Sequence, residues 1–370
     1  MAYRVPFVDP RVHYQRYKKQ IDGAILGCLE RGQLVYRQEL KDFEQELADF
    51  VGVKYAVGLN SGYHALYFSL LAAGVGPGDE VVTVAHTFVA TISAIVHCGA
   101  TPVLVDVTED YNVDVDQMAR AIGPKTKALL PVHLNGRISP MDRIMALAEE
   151  HDLIVVEDAA QALGATHAGQ CAGSFGLTGC FSFYPFKILG SCGDGGAITT
   201  DDEALAIAVG RHRYNGEDRE TGEYHYHGQT ALLDNIQAAV LSAKLKHLPE
   251  WIEHRRRIAE LYGKALEGVG DLRLPHFAGE PFHDIYQNYV IRTKRRDALR
   301  AHLTDNGVET LVHWFKPVWE HKALELGDLD LPETVSICNE VLSLPMSAET
   351  TPEHVRIAAD LVRDFFAKGA

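Results

Sequence analysis

The sequence predicts an α/β fold: a large domain with a mostly parallel central sheet flanked by helices, followed by a smaller C-terminal α+β domain. Three observations carry this. From about residue 50 to residue 200, short β-rich runs alternate with helical patterns, the rhythm of βαβ units. Several of those runs are apolar throughout, as strands covered on both faces must be. After Gly228 the alternation gives way to long helical patterns and then a mixed region.

In chain order, the expected strands are 80–84, 102–107, 128–133, 153–157, 180–184 and 196–199. Between them the spacing predicts helices over 64–73, 89–97 and 141–151, each ended by Gly or a polar turn. Thr87, ahead of Phe88-Val89-Ala90, is the expected helix cap. A helix over 233–248 carries apolar residues at helical spacing, and Pro249 is expected to separate it from the next, 251–266. Beyond Gly270 follow the short run Leu272-Arg273-Leu274, a strand over 286–293, a helix over 296–304, a strand over 309–314 and helices over 333–341 and 352–366. The domain boundary is expected near residue 250, giving units 1–250 and 251–370.

Composition narrows the function. At 370 residues with 46% hydrophobic and 23% charged residues, the chain is an ordinary globular one. Its 50 acidic against 35 basic residues leave a net charge of −15, which repels nucleic acid and anionic lipid. The basic cluster His254-Arg255-Arg256-Arg257 is short. The start, Met1 to Phe7, has no apolar run of signal-peptide length, and no stretch approaches a membrane span, so a cytoplasmic location is expected. Cys28, Cys98, Cys171, Cys180, Cys192 and Cys338 form no C-x-x-C pair, so reduced thiols and no metal site are expected.

Four segments carry chemistry. Phe181-Ser182-Phe183-Tyr184-Pro185-Phe186-Lys187 leads from a strand into an irregular loop, and Gly193-Asp194-Gly195-Gly196 returns to another strand. A lysine at a strand end forms a Schiff base with a carbonyl cofactor once its surroundings lower its pKa. Leu153 to Glu157 is a buried-type strand that runs into Asp158, where open α/β sheets bind ligands, followed by Gln161. A carboxylate there keeps a pyridine nitrogen protonated, as the electron sink of pyridoxal phosphate requires. Asn60-Ser61-Gly62-Tyr63-His64 opens a helix and so offers free N–H groups to a phosphate. Phe88, after His86-Thr87, stands at a strand-to-helix junction, where a ring stacks on a flat heterocycle or packs in the core.

In order and spacing these segments resemble the sugar aminotransferases of the DegT/StrS type, within fold type I of the pyridoxal-phosphate enzymes. The resemblance runs from Pro6-Phe7-Val8-Asp9 to Leu344-Pro345-Met346 and is most specific at Glu157-Asp158-Ala159-Ala160-Gln161, at Phe181-Ser182-Phe183 with Lys187, and at Gly193-Asp194-Gly195-Gly196-Ala197. It implies a pyridoxal 5′-phosphate cofactor bound to Lys187, which then shuttles a proton between Cα of the donor and C4′ of the cofactor. It implies that Asp158 pairs with the pyridine nitrogen, that Gln161 meets the ring hydroxyl and that Phe88 stacks on the ring. Gly62, Tyr63 and Ser182 would hold the phosphate, and Thr230 stands where an Asn is expected to reach the partner subunit's phosphate. It also implies a homodimer with shared active sites.

The chain departs from the family pattern at several points. Tyr63 stands where many relatives have Thr. Gly228-Gln229-Thr230-Ala231-Leu232 replaces the common Gly-Tyr/Phe-Asn-x-Arg, so Leu232 takes the place of an Arg. His133-Leu134-Asn135-Gly136 and His313-Trp314-Phe315-Lys316-Pro317 also differ from their counterparts. The expected activity is transfer of an amino group from L-glutamate, or glutamine, to a 3-keto or 4-keto sugar, most simply nucleotide-linked. His313, Trp314, Lys316 and the 224–227 segment are the candidate substrate contacts. A sugar dehydratase, a cyclitol aminotransferase and a regulatory protein on the same fold are the alternatives; retention of Lys187 argues against the dehydratase.

Overall fold

In the computed structural model, which describes residues 3–275 and 279–368, the chain opens with α1 (Pro10–Glu30) and α2 (Gln38–Val51). A βα alternation follows: β1 (Tyr55–Leu59), α3 (Gly62–Ala72), β2 (Glu80–Val84), α4 (Val89–His97), β3 (Thr101–Val105), α5 (Val115–Ala121), β4 (Thr126–Leu130), α6 (Met141–His151) and β5 (Ile154–Asp158). The short pair β6 (Thr166–His167) and β7 (Gln170–Cys171) precedes β8 (Thr178–Ser182), β9 (Gly196–Thr200) and α7 (Glu203–His212). Then come α8 (Asn235–Leu245), α9 (Leu248–Leu266), β10 (Phe282–His283), β11 (Tyr289–Arg292), α10 (Arg296–Asp305), α11 (Pro332–Glu340), β12 (Val341–Leu344) and α12 (Pro352–Lys368). Met1 and Ala2 of the N-terminal stretch lie outside the described residues.

The main sheet has seven strands in the order β1-β9-β8-β5-β4-β2-β3. β3, β2, β4, β5 and β8 pair in parallel, while β9 runs antiparallel to both β8 and β1. The near-complete burial of β2, β4, β5, β8 and β9 follows from their apolar sequences and from helices on both faces. The apolar stripe Leu40, Phe43, Leu47 and Val51 of α2 recurs at helical spacing and is buried in this core. A second buried cluster gathers Ile258, Ala259, Tyr262 and Leu266 of α9 with Tyr289, Ile291, Leu299, Leu342 and Val362, and Val5 joins it. α9 itself crosses over, for Trp251 and Ile252 belong to the first cluster. Among the described residues, no helix is long and apolar enough to cross a membrane.

Four sequence expectations are corrected. Thr87 does not cap α4: Phe88 occupies the N-cap position, and the Thr87 hydroxyl instead pairs with that of Thr91 at 2.8 Å. The stretch 233–248 is helical only over α8, and Pro249 lies in the first turn of α9, where its missing N–H costs nothing. Residues 309–314 form no strand; their backbone meets β12 at the bridge Leu311↔Ser343, and Trp314 has φ 53°. The helix expected over 333–341 stops at Glu340, and Val341–Leu344 becomes β12, antiparallel to β11.

Candidate active site

The lysine loop lies between β8 and β9. Phe183 N–H donates to the Gly195 carbonyl at 2.7 Å and Ser191 N–H to the Phe183 carbonyl at 2.9 Å, so the hairpin closes before residue 184 and resumes at 191. Lys187 sits in the enclosed turn, its N–H donating to the Tyr184 carbonyl at 2.8 Å. Gln287 grips the peptides on either side of it, accepting from Ile188 N–H at 2.8 Å and donating to the Phe186 carbonyl at 3.0 Å. Gly190 permits the turn, since a Cβ there would stand 2.3 Å from the Pro185 carbonyl oxygen. Burial lowers the Lys187 ammonium from the usual 10.5 to about 8, although the charge of Asp158 pulls the other way.

Asp158 ends β5 beside it and is buried. It accepts from Thr91 Oγ1 at 2.8 Å and from Ala160 N–H at 3.2 Å. Burial raises its carboxyl, and those two donors and Lys187 oppose the rise. Glu157 faces the other side of the sheet and is fully buried. It accepts from Gly173, Phe175 and Gly176 N–H, each at 2.8 Å, and lies 2.9 Å from His133 Nε2. Because Ser139 N–H donates to His133 Nδ1, the ring proton sits on Nε2 and points at Glu157. Gln161 Oε1 accepts from Asn135 N–H at 2.9 Å and from Asn288 Nδ2 at 3.3 Å.

At the opposite end of the site, Ser61 caps α3 by accepting from His64 N–H at 3.2 Å. Backbones crowd here. A Cβ on Gly62 would stand 2.8 Å from Ser182 Cβ, and one on Gly196 would stand 2.6 Å from Gly62 N. Helix geometry leaves the first N–H groups of α3 without intrahelical partners, so those ahead of the capped His64 are available to an anion. Phe88 at the start of α4 is 59% exposed.

Not every expected residue converges. The Tyr63 hydroxyl turns to His97 Nδ1 at 2.6 Å, and its ring stacks on Tyr67. Thr230 is exposed and donates to Asn215 Oδ1 at 3.1 Å. Lys316 Nζ donates to the Glu320 carbonyl within its own turn. His313 does converge: burial and the charge of Lys187 lower it to about 4, and its Nδ1 lies 2.9 Å from Ser343 Oγ. Trp314 stands edge-on to the buried His86 at 5.0 Å. The 224–227 segment lies on an arm closed by the bridges Tyr214↔Thr230 and Glu217↔Tyr224, with Tyr224 69% exposed. Sequence reasoning missed Thr91, Asn135, Gln287 and Asn288. Thr91 lies one turn beyond Thr87, where the cap is expected; Asn135 stands out in the sequence only as a departure from the family pattern, and Gln287 and Asn288 act from the chain ahead of β11 without a motif of their own.

This donor set fits a flat aldehyde cofactor with a phosphate: a lysine whose ammonium is destabilised by burial, a buried carboxylate beside it, and a glycine-lined helix start within reach of the same strand ends. Fold and site thus define a pyridoxal-phosphate-type enzyme. Comparison with known proteins takes the assignment further. The chain belongs to the DegT/DnrJ/EryC1/StrS aminotransferase family, whose profile matches residues 15–363. It is 39% identical to the dTDP-3-amino-3,4,6-trideoxy-alpha-D-glucose transaminase of Streptomyces venezuelae over 98% of this chain and 96% of that one. It is 37% identical to a pleiotropic regulatory protein of Geobacillus stearothermophilus over 98% of both chains. Its structure superimposes on the crystal structure of DesV from S. venezuelae with a TM-score of 0.95, at 38% identity and covering 98% of each chain. The chain is a pyridoxal-phosphate-dependent aminotransferase of fold type I.

Proposed function

We propose that the chain moves the amino group of L-glutamate, or glutamine, onto the ketone of a nucleotide-linked sugar, for amino sugar biosynthesis in the cytoplasm. The observation that carries this is Lys187, lowered to about 8 beside the buried Asp158. About a tenth of such an amine is free at pH 7, against about one in three thousand for an ordinary lysine. A regulatory protein has no use for that arrangement, and a lysine is what amino transfer needs. The sugar class rests on the names of relatives, among them the 3-amino dTDP-sugar transaminase.

When bound, pyridoxal phosphate supplies the electron sink that acidifies a substrate Cα–H. With the cofactor bound, Lys187 would be the group that takes up the donor Cα proton and delivers it at C4′, and it would serve in the opposite sense on the sugar. Asp158 would pair with the pyridine nitrogen; its bonds from Thr91 and Ala160 keep the carboxyl aimed and oppose the rise that burial causes. Gln161, fixed by Asn135 and Asn288, would meet the ring hydroxyl, Phe88 would cover the ring, and Gly62 and Ser182 would hold the phosphate. His313, kept neutral, and Trp314 line the sugar side.

The exposed apolar residues Leu26, Leu29, Leu34 and Val35 support a homodimer, and the exposed arm supports sites shared across it. The same reading divides the chain near residue 250, where α9 passes from one buried cluster to the other. To test the activity, L-glutamate is added to the purified yellow protein and the cofactor absorbance is followed. Bleaching that is reversed by a 3-keto or 4-keto nucleotide sugar is expected. An unchanged spectrum with every amino donor, or full turnover in Lys187→Ala, would overturn the assignment.

A further inference from the structure

Two phosphate contacts suggested by the family pattern are missing from this chain, because the Tyr63 hydroxyl is spent on His97 and the Thr230 hydroxyl on Asn215. A different pair meets at the same place. His64, in the first turn of α3, lies 3.1 Å from Ser61 Oγ through Nδ1 and 2.9 Å from Gln229 Oε1 through Nε2. A carboxamide oxygen only accepts, so the ring proton sits on Nε2, and Nδ1 accepts from the Ser61 hydroxyl. Burial keeps the ring below its ordinary pKa, which favours this neutral form.

The arm is also tied to α3 by stacked rings. His64 packs on Phe68 at 5.3 Å, Phe68 on His212 at 5.5 Å, and His212 on Tyr226 of the arm at 4.1 Å. The arm's main chain is fastened beside β1 as well, with Asn60 N–H donating to the Ala231 carbonyl at 2.9 Å and a bridge at Leu59↔Leu232. Gln229 is therefore held at the mouth of α3, its oxygen engaged by His64. Its Nε2 amide has no partner among the described residues.

We propose that His64 and Gln229 form a phosphate clamp, in which His64 orients the Gln229 carboxamide so that its N–H groups donate to the cofactor phosphate in place of the contacts absent at positions 63 and 230. Gln229 is the binding residue and His64 the positioning residue. The proposal rests on reading the start of α3 as the phosphate site.

The test titrates cofactor-free protein with pyridoxal 5′-phosphate and, separately, with pyridoxal, following absorbance. Gln229→Ala and His64→Ala should each raise the Kd for the phosphorylated form roughly ten- to a hundredfold, the size of one lost hydrogen bond to a charged group. Pyridoxal affinity should not move, and the double variant should be no worse than the weaker-binding single one. Gln229→Glu, which sets a charge against the phosphate, should bind worse than Gln229→Ala. Unchanged Kd values, or equal losses for both ligands, would overturn the clamp, and additive losses would remove the positioning role of His64. Should His64→Ala unfold, the exposed Gln229 variants decide alone. If wild-type protein bound both forms equally, the phosphate placement itself would fail, a result distinct from failure of the clamp.

Discussion

Replacing Lys187 by Met should stabilise the cofactor-free protein. The lysine is lowered from 10.5 to about 8, and this shift already includes the opposing attraction of Asp158. At 1.36 kcal/mol per pKa unit, holding the ammonium in the folded chain costs about 3 kcal/mol. The sign follows from proton counting. Between pH 8 and 10.5 the unfolded chain binds more protons at this site than the folded one, so wild-type stability rises with pH there. Below that window the full cost is paid; above it the cost vanishes. Methionine keeps the apolar stem and removes the charge, so Lys187→Met should unfold at higher urea concentration than wild type at pH 7. The gap should close as the pH rises from 8 towards 10.5. Urea denaturation of both proteins at a series of pH values measures this directly. A less stable variant at pH 7, or a gap that ignores pH, would refute the account of Lys187 as a desolvated amine. Pyridoxal phosphate should then reverse the order, because only the wild type couples covalent cofactor binding to its folded state.

Three further substitutions probe the scaffold around that lysine. Gly62→Ala places a Cβ 2.8 Å from Ser182 Cβ and should cost about 1 to 3 kcal/mol of stability, with a matching rise in the Kd for pyridoxal phosphate; thermal unfolding and absorbance titration report the two. Tyr63→Phe should leave that Kd within about twofold of wild type, since the hydroxyl faces His97. A larger loss would mean that the ring turns towards the phosphate in the working enzyme. Glu157→Ala strands three backbone N–H groups and His133 in a buried setting, so urea denaturation should show at least about 3 kcal/mol of lost stability, and Glu157→Gln should lose less.

Much of the sheet was legible because its strands announce themselves. Largely apolar runs such as Val81 to Val84 and Leu153 to Val156 are bounded by polar turns, and six of the seven main strands stand within about three residues of where the pattern predicts them. The missing one, β1, contains Gly58, which reads as a strand breaker. Its role is visible only in three dimensions: a Cβ there would meet Leu40 Cδ1 at 2.8 Å. The failed strand over 309–314 shows the converse. Its alternation is adequate, but Glu309 accepts from Phe7 N–H at 2.8 Å and Trp314 adopts a positive φ to reach His86, so tertiary contacts outweigh local preference. In the candidate site, Asp158 and Ser182 end strands, Gly62 begins a helix and Lys187 follows β8 in its loop, so the sequence pattern itself singles these positions out. Gln287 and Asn288 were not, because they serve the site from the chain that leads into β11, nearly a hundred residues beyond the lysine loop.

The departures from the family pattern spare the three residues proposed to act on the cofactor ring, although one departure, Asn135 in His133-Leu134-Asn135-Gly136, lies against Gln161. On the ring side, Asp158, Gln161 and Lys187 are retained, each held by partners from neighbouring strand ends and loops, and any change there would alter proton transfer itself. On the proposed phosphate side, positions 63, 229, 230 and 232 all differ. The structure joins three of them to groups of this chain alone: Tyr63 to His97, Gln229 to His64 and Thr230 to Asn215. A phosphate tolerates such exchange because it is a diffuse anion that accepts from many directions, whereas the pyridine nitrogen and the Cα proton each require one group at one place. Geometry that the chemistry fixes was therefore kept. Where only charge and hydrogen-bond donors are required, a different set of side chains, drawn from helix α3 and the arm, can satisfy the same anion.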